Sequence, residues 1–432
     1  MLTASGQQFI DWSSAYRLFS RSRIDMSMIF DTVCAELLKE SSSDQMIIAH
    51  MDDTVLKKSG KHVPGAAWRR DPLGPPFQTN FIWGQRFLQI SMALPEHPGC
   101  ARSRAVPVDF FHCPTAKKPG KVADESLWQQ YKEQQRILKL SKQGSERLEH
   151  LRTHLDEQGA KEKQLLVSVD GSYTNDQVLK NLPERVTLIG RIRKDTKLYS
   201  PAILQPDLGR KRVYGDRLPT PEQIRQSDNY PWVPVKAWAA GKEHVFNVKV
   251  IHDCLWRSAG QDHNLQVVVI RPLGYRLTKK SKILYREPAY LICTDNLLDI
   301  DKLLQAYLWR WEIEVNFREE KSIMGCGQAQ VRNPNSVNIV PAFIASIYAM
   351  LHLAAHRALK KNSDQILPRP KWYPKKAQAR HSTGDLVNNL KAQAWSRYIG
   401  MNFSGFVNTQ VKSRSQRNVT NPTTSAMFYL RN

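Results

Sequence analysis

Three acidic positions and one helical stripe carry the chemistry that can be read from this chain. The stretch YLWRWEIEVNFREEK, residues 307–321, contains no Gly or Pro, and Asp299 and Asp301 stand just upstream as a helix cap. On an ideal helix Tyr307, Arg310, Glu314 and Lys321 share a stripe about 60° wide, with Trp311 beside it. A hydroxyl, two cations and a carboxylate thus lie together on a side flanked by aromatics. Two further acids follow apolar runs of strand length: MIIAHM stops at Asp52-Asp53, and LLVSV stops at Asp170. In open α/β sheets, ligands gather beyond the carboxyl ends of strands. Two strand-end carboxylates and a third from a packed helix could converge there and hold hard divalent cations through oxygen, for which Mg²⁺ is well suited. A pair of such ions about 4 Å apart activates a water or a 3′-hydroxyl and stabilises the leaving oxygen of a phosphodiester. Each piece also has a plainer use. An Asp after a strand forms turns or caps helices, Glu314 four residues from Arg310 makes an ordinary surface pair, and Trp309, Trp311 and Phe317 read as core.

The elements that must position these groups alternate. Residues 8–40 read as two short helices, apolar on one side and basic on the other. Apolar runs at 46–51, 87–94, 165–169, 186–193 and 289–295 read as strands, and 126–159 as strongly helical and charged. Strand, helix, strand at this spacing gives an α/β fold with both sheet faces covered. Between 199 and 285 Pro becomes frequent and short β-like stretches appear, a β-rich insertion. An apolar helix, VPAFIASIYAMLHLAAHRAL, follows the stripe. From Lys360 onward there are 13 Lys/Arg and 2 Asp/Glu, and RPKWYPKKAQAR interleaves aromatics with bases.

The totals agree with a polyanionic partner. Of 432 residues, 63 are Lys or Arg and 40 Asp or Glu, a net charge of +23, which favours nucleic acid over an acidic membrane face. We read no run of about 18 apolar residues to span a bilayer and no secretion signal at MLTASGQQFIDW, so a cytoplasmic, nucleoid-associated protein is expected. The six cysteines form no C-x-x-C pair, and reduced structural thiols fit better than a zinc site.

The spacing Tyr307-x2-Arg310-x3-Glu314-x6-Lys321 resembles the Y-(2)-R-(3)-E-(6)-K signature of DDE transposases from bacterial insertion sequences. MDDTVLKKSGKH, LLVSVDGSYTN, IGRIRKDTKLY and AYLICTD resemble the corresponding blocks of the branch that cuts and pastes through hairpin ends. The resemblance covers about residues 46–198 and 286–345. It implies a ribonuclease H-like core at 46–198 and 286–360, interrupted by the insertion at 199–285. An N-terminal helical region, 1–45, open to DNA binding, and a basic C-terminal region, 361–432, would flank that core. It implies that Asp52, Asp170 and Glu314 bind two Mg²⁺ ions, with Mn²⁺ as a substitute. Asp53 is the alternative first acid; D-x-T favours Asp52, since a strand points only one of two neighbours into a site. Tyr307, Arg310 and Lys321 resemble the residues that grip phosphates, as a phenol, a guanidinium fork and a point charge can. Lys57, Lys58, Lys61, Arg191, Arg193 and Lys194 are further DNA contacts on this reading, although a solvated basic face accounts for them equally. Trp256, with Trp232 and Trp238 behind it, is the candidate platform for a flipped base. The activity implied is binding of terminal inverted repeats, cleavage, and joining of 3′-hydroxyls to target DNA by a homodimer on double-stranded DNA. A non-cutting DNA-binding protein of the same fold, or a nuclease without strand transfer, are the alternatives.

Overall fold

The strand that carries the acid doublet runs further than its apolar start predicts. In the computed structural model, which describes residues 9–41, 46–71, 74, 77–96, 102–202, 212–260, 263–278, 281–361 and 380–400, β1 spans Ile47–Lys57. Its first half pairs in parallel with β5 (Leu165–Val169), ending at Met51↔Val169. Its second half is held only by the antiparallel β3 (Phe81–Pro95), in register to Lys57↔Gly84. The doublet therefore lies inside β1, at the step where its shorter neighbour stops. Side chains alternate across a strand. Met51 and Val169 enter one core, and Asp52 and Asp170, each next along, turn to the other face.

Around this step the strands form one mixed sheet. β2 (Ala67–Arg70), β3, β1, β5, β6 (Val186–Arg191), β14 (Ala289–Cys293), β11 (Leu265–Ile270), β10 (Lys242–Cys254) and β9 (Val233–Ala239) follow one another, and β4 (Ser103–His112) also pairs with β3. β1, β5 and β6 are parallel; the rest join antiparallel. The segment 199–285 is β-rich, and its β9, β10 and β11 extend this same sheet. Short pairs, β7 (Tyr199–Pro201) with β8 (Tyr214–Arg217) and β12 (Gly274–Tyr275) with β13 (Leu284–Tyr285), stand outside it.

Helices cover both faces. On one, α2 (Met26–Leu38) and α4 (Leu140–Leu155) pack Leu37, Leu148 and Leu155 against Ala49, Met51 and Val167. On the other, α7 (Ile300–Trp309) buries Leu303, Leu304 and Ala306 against Leu166, Ile189 and Leu291. Each such side chain contributes about 1.5–3 kcal/mol on burial. The charged run 126–159 is helical, as expected, in two parts: α3 (Glu125–Ile137) buries none of its residues, and the chain breaks at Leu138-Lys139 so that α4 alone packs. α1 is Ser13–Ser20, α5 Asp176–Leu179 and α6 Pro221–Gln226.

α9 (Ser336–Lys361) is long and apolar enough to cross a membrane, contrary to the sequence reading. Half of its most apolar stretch is buried, and it packs on β4 and α2. α10 spans Thr383–Ile399. Most of the basic region from 361 onward, including the RPKWYPKKAQA segment, lies outside the described residues, as does Cys100. The other five cysteines are free thiols and buried.

Candidate active site

The stripe sits on two helices, not one. α7 ends at Trp309, and α8 spans Trp311–Ser322. Arg310 joins them through tight turns, its N–H bonding Tyr307 O at 3.2 Å and its carbonyl accepting from Ile313 N at 3.1 Å. Asp299 is the N-cap of α7 and Asp301 lies in its first turn, as expected, although the Asp299 side chain makes no capping hydrogen bond. The junction also turns Trp311 outward. It is 61% exposed beside Arg310, whereas Phe317 is buried as expected.

The junction brings Arg310 over β1. One guanidinium nitrogen donates to Asp52 Oδ2 at 3.1 Å and the other to Glu314 Oε1 at 3.0 Å. Two residues along β1 on the same face, Thr54 Oγ1 accepts from Lys321 Nζ at 2.6 Å. The D-x-T of the strand thus meets two members of the helical signature. The third, Tyr307, lies with its ring 6.0 Å from the Arg310 guanidinium carbon. Asp170 is fixed by its own turn: Ser172 N donates to Oδ1 at 2.8 Å and Ser172 Oγ to Oδ2 at 3.2 Å. That turn closes over Gly190, where any Cβ would strike Thr174.

The electrostatics follow from this crowding. Burial and the neighbouring Asp170 push the Asp52 carboxyl up to about 7, against the pull of Arg310. Burial raises Glu314 too, with Asp170 adding and Arg310 opposing. Beneath them His50 Nδ1 meets Ser168 Oγ at 2.6 Å, and burial holds the imidazole neutral, down at about 3. Asp53 belongs to the opposite face. Its Oδ1 accepts from Tyr173 Oη at 3.0 Å, and its Oδ2 lies 3.2 Å from Arg86 Nε.

The donor set suits a hard divalent cation: it offers oxygen ligands only, and burial raises the Asp52 and Glu314 carboxyls, a cost that a cation would offset. As the side chains stand, a guanidinium lies between Asp52 and Glu314. Among the described residues no three His, Cys, Asp or Glu side chains are close enough together to hold an ion.

The family follows from the sequence itself. The profile of the DDE superfamily endonucleases matches residues 11–259, more than half of the chain and including both strand acids. This chain is a DDE superfamily endonuclease. No curated protein matches it significantly. The mixed sheet covered by helices is consistent with the ribonuclease H-like DDE fold, members of this superfamily use divalent metal ions, and DNA is the substrate that membership implies.

Of the other residues read from sequence, Lys57, Lys61, Arg191, Arg193 and Lys194 are exposed. Lys57 and Arg191 end strands at the edge where Asp170 lies. Arg193 pairs with Asp195 at 3.0 Å, an exposed contact worth little in water, and Lys57 reaches the mostly buried Asp71 at 3.7 Å. Lys58 is a correction. It is buried, and its ammonium donates to Gly327 O at 3.1 Å and Ala329 O at 2.9 Å, which leaves it no open face for a phosphate. Trp256 and Trp232 pack, half-buried, against the main core. Arg102 covers the Trp238 ring at 5.5 Å.

Sequence reasoning missed the polar layer that holds α8 from behind. Asn316 Nδ2 donates to Ala105 O at 3.1 Å, and Tyr348 Oη donates to Asn316 Oδ1 at 3.2 Å and Glu319 Oε2 at 2.8 Å. From beyond α9, Thr383 Oγ1 donates to Glu319 Oε2 at 2.5 Å and Arg380 to Glu312 Oε2 at 2.7 Å. The signal was available in part, since three polar residues recur on the face of α8 that should have been apolar.

Glu320, in the same layer, is fully buried, and burial pushes its carboxyl up to about 8. Unfolded, it ionises near ~4.3. Between those values the native state holds a proton that the unfolded state releases, so stability falls as pH rises through that window. Asp52 contributes with the same sign up to about 7. In denaturant titrations at about pH 6 and about pH 9, Glu320→Gln should lose less unfolding free energy than the native chain. Equal losses would place the titrating proton elsewhere.

Proposed function

We propose that this endonuclease is the transposase of a bacterial insertion sequence, of the Y-(2)-R-(3)-E-(6)-K branch. It binds the terminal inverted repeats of its element, cleaves at the ends and joins the freed 3′-hydroxyls to target DNA, acting in the cytoplasm on nucleoid DNA. One observation carries this reading: Arg310 spans Asp52 and Glu314 while Lys321 meets Thr54, so the signature residues and the D-x-T of β1 form one cluster.

Asp52, Asp170 and Glu314 would hold two Mg²⁺ ions, or Mn²⁺ in their place, which activate the attacking hydroxyl and steady the leaving oxygen. The chain's own groups do the rest. Arg310 offers its fork to the phosphate next to the cleaved bond, Tyr307 a phenolic donor, and Lys321 a point charge two residues further along β1. Lys57, Lys61, Arg191, Arg193 and Lys194 rim the carboxyl edge and draw the duplex onto it. Among the tryptophans near the site, Trp311 presents the open face that stacking on a flipped base in a hairpin step requires, while Trp256 is committed to packing. Synapsis of two ends calls for a homodimer.

The test uses labelled DNA carrying the inverted repeats that flank the gene, a supercoiled target and Mg²⁺. End cleavage and joining by the native chain, both lost in Glu314→Ala, are expected. Binding without cutting, or cutting without joining, overturns the proposal in favour of a non-cutting DNA-binding protein or a plain nuclease.

A further inference from the structure

On the face of the sheet opposite the acids Asp52 and Glu314, a cavity of about 310 Å³ opens beside Asp53. Its wall includes Arg69, Arg86, Thr115, Tyr131, Gln135 and Lys139. Arg69 comes from β2, Arg86 from β3, and the last three from the end of α3 and its junction with α4.

The charges around this cavity do not balance. Arg69 is only 5% exposed, yet among the described residues no carboxylate is in ion-pair contact with it; Asp53 acts on it only through its field, and it donates at 3.3 Å to Gly84 O and at 3.3 Å to Cys113 O. Burial and the adjacent Arg86 push its guanidinium down to about 10. Arg86 has Asp53 as its one acid among the described residues. Its Nε lies 3.2 Å from that carboxylate but off the hydrogen-bonding line, so this buried N–H lacks an acceptor. A buried cation such as Arg69 without a full counter-charge is unfavourable. α4, 16 residues long, starts at the same wall with Lys139 before its first turn and no side-chain cap. Its first N–H groups and its dipole favour an anion there. Tyr131 Oη, which accepts from Gln135 Nε2 at 2.9 Å, keeps its own proton to donate.

We propose that this cavity is an anion site that takes a phosphate group borne on a nucleotide-sized body, separate from the phosphates held at the catalytic acids. The volume exceeds what a bare oxyanion fills and sits at the lower end of pockets that enclose small organic ligands. The nucleotide could be free or the 5′-phosphorylated terminus of a DNA strand, which present the same chemistry. The site does not depend on the transposase reading.

Calorimetric titration of the full chain in EDTA, which keeps metal-borne phosphate binding out of the catalytic site, tests it. The probes are inorganic phosphate, thymidine 5′-monophosphate, and a short single-stranded oligonucleotide with and without a 5′-phosphate. Saturable binding of the monophosphate is expected, weaker for inorganic phosphate, and at least about tenfold weaker in Lys139→Glu and in Gln135→Glu. Both positions are exposed and tolerate a charge without disturbing the core; circular dichroism melts check this. A phosphorylated oligonucleotide that competes with the monophosphate, while its unphosphorylated twin does not, assigns the site to a DNA end. Competition by neither assigns it to a free nucleotide. Absence of saturable binding, or equal affinity in the native chain and both variants, overturns the proposal and leaves end cleavage as a separate question.

Discussion

Asp52→Asn is expected to melt higher than the native chain without metal and to cut DNA at least about a thousandfold more slowly. The two halves have one cause. Burial and Asp170 already push the Asp52 carboxyl up to about 7, so above that pH the folded state carries an ion it disfavours. An amide of the same shape removes the penalty and still accepts from Arg310, and each kcal/mol recovered raises the midpoint by roughly 2–4 °C. The same change removes a proposed metal ligand, and a loss of about 4 kcal/mol of transition-state stabilisation corresponds to that rate. Differential scanning calorimetry in EDTA at about pH 8 and single-turnover end cleavage read the two effects. The contrasting substitution, Asp53→Asn, alters an acid on the opposite face that meets Tyr173 and Arg86; burial raises its carboxyl too, so the discriminating readout is the rate, which should stay near the native one. A reversal of the two phenotypes would transfer the ligand role to Asp53.

Arg310→Met should have the opposite signature. In the metal-free chain the guanidinium is the counter-charge for Asp52 and Glu314 together, and it is largely buried. Removing one partner of such a cluster typically costs about 3 kcal/mol, because the acids are left unpaired. Divalent metal would supply the missing charge. Added Mg²⁺ is therefore expected to raise the melting temperature of Arg310→Met by more than that of the native chain, while end cleavage stays down by about a hundredfold for want of the phosphate fork. An equal Mg²⁺ response in both proteins would show that arginine and metal do not answer to the same carboxylates. Should both answer to them, metal binding would release Arg310 from the two acids and leave its guanidinium open to DNA.

How far the sequence could be read depended on whether a residue's partner was local. The apolar runs of β5, β6 and β14 declared themselves, because strands buried on both faces need continuous hydrophobic sequence. The second half of β1, DDTVLK, did not. It is ordered by β3, some thirty residues away, and only that pairing shows the doublet to be mid-strand. The spacing of the helical signature was legible, yet the turn at Arg310 that aims it at Asp52 was not, since nothing in the residue types breaks the helical pattern there. Lys58 looked like its neighbours Lys57 and Lys61 until the loop after α8 closed over it. The arginines of the Asp53-side cavity come from separate strands and form no motif at all.

The hydrogen bonds from Arg380 and Thr383 to Glu312 and Glu319 tie the helix bearing Glu314 to a segment some sixty residues downstream. Without that downstream segment α8 would keep its buried Ile313 and Phe317 and the Asn316 bond to Ala105, but would lose two of the hydrogen bonds that fix its outer face. A chain stopped short of residue 380 should therefore hold Glu314 less firmly than the full one.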